Sequence, residues 1–252
     1  MRKIDDRYSY YPNSLNVLKS LEKDKNYERL NDEEELHAGI SAFGKKVIKR
    51  MNKLGMMIDI SHISDKASLE AIKLSSAPVI ASHSCVKSIA DHPRNISDEL
   101  LFALKENEGV IQITAFANYV KVNNDRFNSI ISLGNKVAKL YGDKSFNPSL
   151  HSNKREYLEG IENINMEFPM PDIDDFIDHI DYVVDLIGVD YVGISSDFGG
   201  GGGISGWIDA SETKLLTRKL KERGYSSKEI EKIWGGNILR VWKRVEDIAS
   251  NT

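Results

Sequence analysis

Two short apolar runs, Met56-Met57-Ile58-Asp59-Ile60-Ser61-His62 and Pro78-Val79-Ile80-Ala81-Ser82-His83, each close on a histidine. Between them lies Ser64 to Ser75, where Ala67, Leu69, Ala71, Ile72 and Leu74 alternate with Asp65, Lys66, Glu70 and Lys73 at helical spacing. Strand, helix and strand in so few residues leave only a βα repeat, so the two strands are expected to be parallel neighbours. His62 and His83 then stand at the C-terminal ends of adjacent strands, where parallel α/β folds carry their chemistry. Two imidazoles at matching positions can converge on one divalent metal; the other reading is a pair of hydrogen-bonded loop histidines.

The same period continues along the chain. Ser41 is a candidate N-cap for a helix through Val47, Ile48, Met51 and Leu54 that stops at Gly55. A helix from Ser97 to Asn107 precedes a strand over 109–115, and a helix over 172–187 precedes a strand over 191–195. Helical pieces such as 125–141 and a Pro/Asn-rich loop at 146–155 lie between. Helices over 210–222, 226–234 and 235–248 finish the chain. Four strands are legible, whereas a closed (β/α)8 barrel has eight in about 250 residues. The chain has 252 residues, so strands are hidden in 1–35 or 118–170, or only part of a barrel is present. Residues 1–35 are dense in charge and read as a solvated arm or remnant, with Leu15, Leu18 and Leu21 suggesting one amphipathic helix. Residues 36–252 form the barrel-like domain.

Net charge is -4, which gives no basic surface for nucleic acid. No apolar stretch nears the ~20 residues that span a bilayer, and the first residues lack the apolar core of a signal peptide. Cys85 is the single cysteine, so there is no internal disulfide. The expected compartment is the cytoplasm. Cys85 reads as a small core or loop filler rather than a nucleophile.

Two further residues join the histidines on the expected rim. Arg94, in Asp91-His92-Pro93-Arg94-Asn95, could hold a carboxylate with its planar fork, or else serve locally in a helix-entry loop. Asp197 follows the strand over 191–195 and could orient an amine or move a proton, or else shape the turn before Gly199 to Gly203. Those five glycines lack the spacing of a dinucleotide fingerprint and read as a flexible loop. His179-Ile180-Asp181 has the look of a metal motif, but it sits inside an amphipathic helix and is read as a decoy. His37, His92 and His151 receive no role. Trp234, Leu239, Val241 and Trp242 read as core or interface.

The strings HAGISAFGKKVIKRMNKLG, GMMIDISHIS, APVIASHS, DHPRNISDE, GVIQITAF, DHIDYVVDLIGVDYVGISSDF and GYSSKEIEKIWGGNILRV resemble the membrane (renal) dipeptidase family, peptidase family M19, in register from about His37 to Val245. The resemblance implies a (β/α)8 metal-hydrolase barrel with two zinc ions that hydrolyses dipeptides. It implies that His62 and His83 bind the second zinc, that Arg94 holds the substrate carboxylate, and that Asp197 serves the amino end near the reacting centre. The family's H-x-D pair, its bridging glutamate and a further substrate-contacting histidine precede the GISAFG-like lead-in, and no counterpart stands before His37 here. Gly199 replaces an aspartate found in many relatives. The expectation is therefore an incomplete barrel, lacking the N-terminal strands. Such a chain is expected to be inactive, or nearly so, alone. It would need a second copy of itself or a separately encoded N-terminal half. The alternatives are a degenerate, non-catalytic partner of an intact dipeptidase, or a different barrel amidohydrolase with Asp197 as a metal ligand.

Overall fold

The computed structural model describes residues 39–251. The charged arm expected over 1–35, with its helix, and His37 lie outside the described residues. Four parallel strands, β1 (Ile58–Asp59), β2 (Val79–Ser84), β3 (Val110–Thr114) and β4 (Val192–Ser195), form one sheet in the order β1-β2-β3-β4. Sequence order equals spatial order, as it must when each strand returns over a helix to pair with the one before. The described sheet is thus a contiguous part of a (β/α)-barrel wall, with β1 and β4 at its edges.

The helices begin where short polar side chains can satisfy free backbone N–H groups. Helix α1 (Ala42–Leu54) is capped by Ser41, which accepts from the Gly44 N–H, and it ends on Gly55 in the left-handed conformation. Ser64 and Ser97 cap α2 (Asp65–Leu74) and α3 (Asp98–Glu106) in the same way. After β3 come α4 (Ala117–Val120), α5 (Asn124–Leu140), α6 (Pro148–His151) and α7 (Arg155–Glu167). Helix α8 (Ile173–Ile187) opens with a reciprocal capping box between Asp172 and Asp175. After β4, α9 (Thr213–Glu222) and α10 (Ser227–Glu231) lead into a π-helical turn, Lys232–Gly236, and then α11 (Asn237–Ser250). The expected boundary between helices at 234–235 is therefore a continuous passage through a widened turn. Asn237 follows it, and its amide donates to the carbonyls of Val189 and Val192 at the start of β4.

The core sits between the sheet and its helices. Ile58, Val79, Ala81, Ile111, Ile113 and Val192 meet Ala67, Ala71, Leu100, Leu101, Leu104, Phe176, Ile177, Ile180 and Val183 in one cluster. Each fully buried Leu, Ile or Phe of this kind stabilises the fold by roughly 1.5–3 kcal/mol. Ile80 and Val110 join Ala77 in a second cluster with Val241 and Val245 of α11. Of the tryptophan stripe, Val241 is buried and Trp234 packs on the core, while Leu239 and Trp242 are exposed. Cys85 is buried, its thiol reaches the Thr114 carbonyl, and burial pushes its pKa up to about 12. No described helix is long and apolar enough to cross a membrane.

His179 is a tie between layers. From α8 its Nδ1 accepts from the Val86 N–H after β2 (3.1 Å), and its Nε2 lies 2.9 Å from the Val120 carbonyl and donates to it. Both ring nitrogens are consumed by backbone, so this H-x-D carries structure. Replacing His179 by Ala orphans both backbone groups and opens a cavity, and the expected loss is about 3 kcal/mol in urea unfolding. Burial also holds His179 below the usual imidazole range and lowers His92 to about 4. The folded state keeps both rings neutral while the unfolded chain protonates them below about pH 6.5. Their contribution to stability is thus complete above that pH and is expected to fall as pH drops toward 4, measured by urea unfolding across pH; His92→Gln should flatten the part of the slope between pH 4 and 6.5.

Candidate functional site

The predicted residues gather at the C-terminal ends of the strands. The register sets up the first pair. Ala81 lies opposite Ile111, but Ser84 lies opposite Ile113, so β2 carries one extra residue between those points. Such a bulge breaks the two-residue alternation and re-aims a side chain. His83 therefore lies within β2, rather than beyond it as the sequence implied. His62 follows β1 with φ +89°, a backbone region that non-glycine residues rarely occupy. Strain of this kind, about 1–3 kcal/mol, persists where the surroundings over-determine it.

The two rings converge. The Nε2 atoms of His62 and His83 are 2.6 Å apart, with ring centroids at 4.7 Å. At this distance one nitrogen donates to the other; two nitrogens on one tetrahedral zinc stand ~3.3 Å apart, so the pair would part by about 0.7 Å, and the donor lose its proton, to share an ion. Burial, and secondarily the charge of Arg94, lower the His83 pKa to about 3, which keeps its imidazole neutral and fit to be a ligand. The residues present thus fit a divalent ion as a pair of nitrogen donors. Among the described residues, no set of three His, Cys, Asp or Glu side chains is grouped to hold a metal.

Behind His83 stands a polar cluster that sequence reasoning passed over. The Asp59 carboxylate is buried in β1. Its Oδ1 accepts from the backbone N–H groups of Ser61 and Ser82, each at 3.0 Å, and its Oδ2 lies 2.5 Å from Ser82 Oγ. Ser82 Oγ is in turn 2.6 Å from His83 Nδ1. The His83 N–H donates to Ser61 Oγ across the strands at 3.0 Å. The one available signal was a lone carboxylate inside an apolar strand, which folding tolerates only when it is fully hydrogen-bonded.

Arg94 lies in the loop after β2. Its Nη1 donates to the Tyr119 hydroxyl at 3.0 Å, and its guanidinium lies 5.2 Å from that ring's centre. Its Nε and Nη2 are buried and have no hydrogen-bond partner among the described residues. These two nitrogens form the side-on edge of the fork that a carboxylate matches. His92 supports the loop: its Nδ1 accepts from the Arg94 N–H, and its ring packs on Tyr119 at 4.6 Å. Asn95 fixes the same loop, donating to the carbonyls of Ala90 and Tyr119.

Asp197 follows β4 in the left-handed conformation, φ +51°. Burial raises its pKa and the nearby Arg94 charge lowers it. The glycine run, read from sequence as a flexible loop, wraps closely around it. Gly200 and Gly202 both donate to the Asp197 carbonyl at 2.8 Å, and Gly203 donates to Ala115 at 2.7 Å. A Cβ at Gly200 would fall 2.3 Å from Asp197 Oδ1, and one at Gly202 would fall 2.1 Å from the Ser196 carbonyl. At Gly199 a Cβ would meet nothing within 4 Å, so the position that differs from many relatives has room for a side chain. His151 is remote in role: buried on α6, it is held by the Asn147 N–H and the Asp143 carboxylate.

Comparison with known proteins follows the same lines. A family model described as "Membrane dipeptidase (Peptidase family M19)" matches residues 21–252. "Dipeptidase tcpJ" of Claviceps purpurea is 32% identical over 217 residues, 86% of this chain and 41% of that protein. "Dipeptidase 3" of Mus musculus is 30% identical over 212 residues, 84% of this chain and 34% of that protein. The chain thus spans roughly two-fifths or less of the length of these relatives. Among solved structures, the probable dipeptidase PvdM from Pseudomonas aeruginosa superposes with a TM-score of 0.68 at 35% identity, covering 84% of this chain and 56% of that one. A metallo peptidase from Rhodobacter sphaeroides, liganded with a phosphinate mimic of the dipeptide L-Ala-D-Ala, has a TM-score of 0.61 at 21% identity, covers 82% of this chain and 47% of that one, and shares the fold. With a family match over nearly its whole length, the chain belongs to the membrane dipeptidase family, peptidase family M19.

Proposed function

We propose that residues 36–252 form a dipeptidase-like partial barrel domain that supplies half of a zinc-dependent site for dipeptide hydrolysis. The approach of the His62 and His83 Nε2 atoms to 2.6 Å carries this reading. In it, the two imidazoles hold zinc as neutral donors. When bound, zinc polarises a peptide carbonyl and makes water a better nucleophile near neutral pH. Arg94 binds the C-terminal carboxylate of a dipeptide through Nε and Nη2, while Tyr119 keeps the fork in place through Nη1. Asp197 receives the amino end, or takes up a proton from the reacting centre; its partly buried carboxyl has the raised proton affinity that such a role uses.

A catalytic zinc generally takes three protein ligands and a water. The described residues offer a pair. Further donors would come from residues outside the described set, from a second copy of the chain, or from a complementing chain, and the isolated chain is expected to turn over dipeptides weakly or not at all. The pair also supports a second reading, a non-catalytic partner of an intact dipeptidase. That reading expects no zinc on the purified chain.

Metal analysis after zinc loading separates the two. The first reading expects zinc on the chain, with most of it lost in His62→Ala and in His83→Ala. Zinc retained by both variants, or absent from the unsubstituted chain, would sink it. Arg94→Met should keep the zinc and weaken capture of a non-hydrolysed dipeptide mimic by about 10²-fold in calorimetric titration, because it removes a buried charge partner worth ~2–5 kcal/mol.

A further inference from the structure

The hydroxyl of Ser82 stands between two acceptor-capable atoms, 2.5 Å from Asp59 Oδ2 and 2.6 Å from His83 Nδ1, and it has one proton to give. A carboxylate can only accept. Burial raises the pKa of Asp59, and against it Asp59 draws two backbone N–H groups onto Oδ1 and the Ser82 hydroxyl onto Oδ2, three bonds that favour the ionised form and have the geometry of donors to a carboxylate. Ser82 therefore gives its proton to Asp59, and its oxygen is left to accept. The donor that faces it has to be Nδ1–H of His83. A neutral imidazole carries one N–H, so the remaining nitrogen, Nε2, keeps its lone pair, and Nε2 is the atom 2.6 Å from His62.

We propose that Asp59 and Ser82 are positioning residues that select the Nδ1–H tautomer of His83 and so hold its Nε2 ready to bind a cation. The chain of bonds runs carboxylate, hydroxyl, imidazole and then the shared point between the two histidines. Its relevance to metal rests on the reading of His83 as a ligand given above; the tautomer itself does not. The Asn variant exposes the logic. In Asp59→Asn the side-chain oxygen can still accept from Ser61 and Ser82 N–H, but the amide NH2 now donates to Ser82 Oγ. Ser82 then donates to His83 Nδ1, and the imidazole proton moves to Nε2, the wrong atom for a ligand.

The test is nitrogen-15 NMR of the histidine side chains in the full, metal-free chain near pH 7, with the His83 signals identified by their absence in His83→Gln. The unsubstituted chain should show Nδ1 protonated and Nε2 bare. Asp59→Asn should show the reverse, and its zinc affinity should fall by about 10–100-fold, the usual effect of losing an outer-sphere partner. Ser82→Ala cuts the relay without touching the carboxylate and should abolish the preference for Nδ1–H; it also serves if Asp59→Asn does not fold. An Nε2–H tautomer in the unsubstituted chain, or an unmoved tautomer in the variants, overturns the proposal. Zinc affinity unchanged in His83→Gln, with the tautomer switching as expected, would instead overturn the ligand reading and leave the relay standing.

Discussion

The fixed point of this structure is a carboxylate inside a strand. Asp59 is buried, and such a group is stable there only because donors from two strands close around it. Those donors tie the end of β1 to the end of β2. The same bonds set the spacing between the segments that carry His62 and His83. Ser61 adds a parallel tie, since its hydroxyl takes the His83 N–H and lies 3.2 Å from the Ser84 hydroxyl. Packing of the outer helices makes the sheet; this polar seam makes its rim specific.

Strain is distributed in the same way. Among the described residues, the non-glycine positions with positive φ are His62, Glu108 and Asp197. Two of the three are residues to which the site reading assigns chemistry, on opposite edges of the sheet. Both are held by surroundings that leave little choice: the paired imidazole at one edge, and the glycine wrap at the other. The glycines at 200 and 202 exist because backbone and carboxylate approach too closely for a side chain. Arg94, between these edges, is stiffened through Tyr119, His92 and Asn95, so the fork presents a fixed edge rather than a mobile charge.

Much of this was legible in the residues. The βα periods around Ser64–Ser75 and Ser97–Asn107, the serine caps and the stripe of α8 fix elements through local physics, and the four strands stand near where alternation and apolar runs place them. Strand ends were less legible: β1 is confined to Ile58–Asp59, and β2 runs on through Ser84. Membership in the family was readable because several motifs occur in order. Asp59, Ser82 and Tyr119 were not singled out, because their roles depend on distances between segments that sequence spacing does not encode. The close packing of the glycine run was hidden for a related reason. Five glycines signal permissive backbone, but only the neighbouring atoms decide whether that freedom is used for motion or for close approach.

The irregular register of β2 has a consequence for how this strand tolerates change. Without the additional residue, pleat parity would turn Ser82 and His83 to opposite sides of the wall as a matter of course. With it, two successive residues serve one polar seam, hydroxyl to ring. Deleting Ser82 or Ser84 would restore regular pairing with β3, and in doing so would swing the imidazole away from its counterpart after β1. Here the most orderly sheet is the one that loses the site, so the length of this short segment matters alongside its side chains.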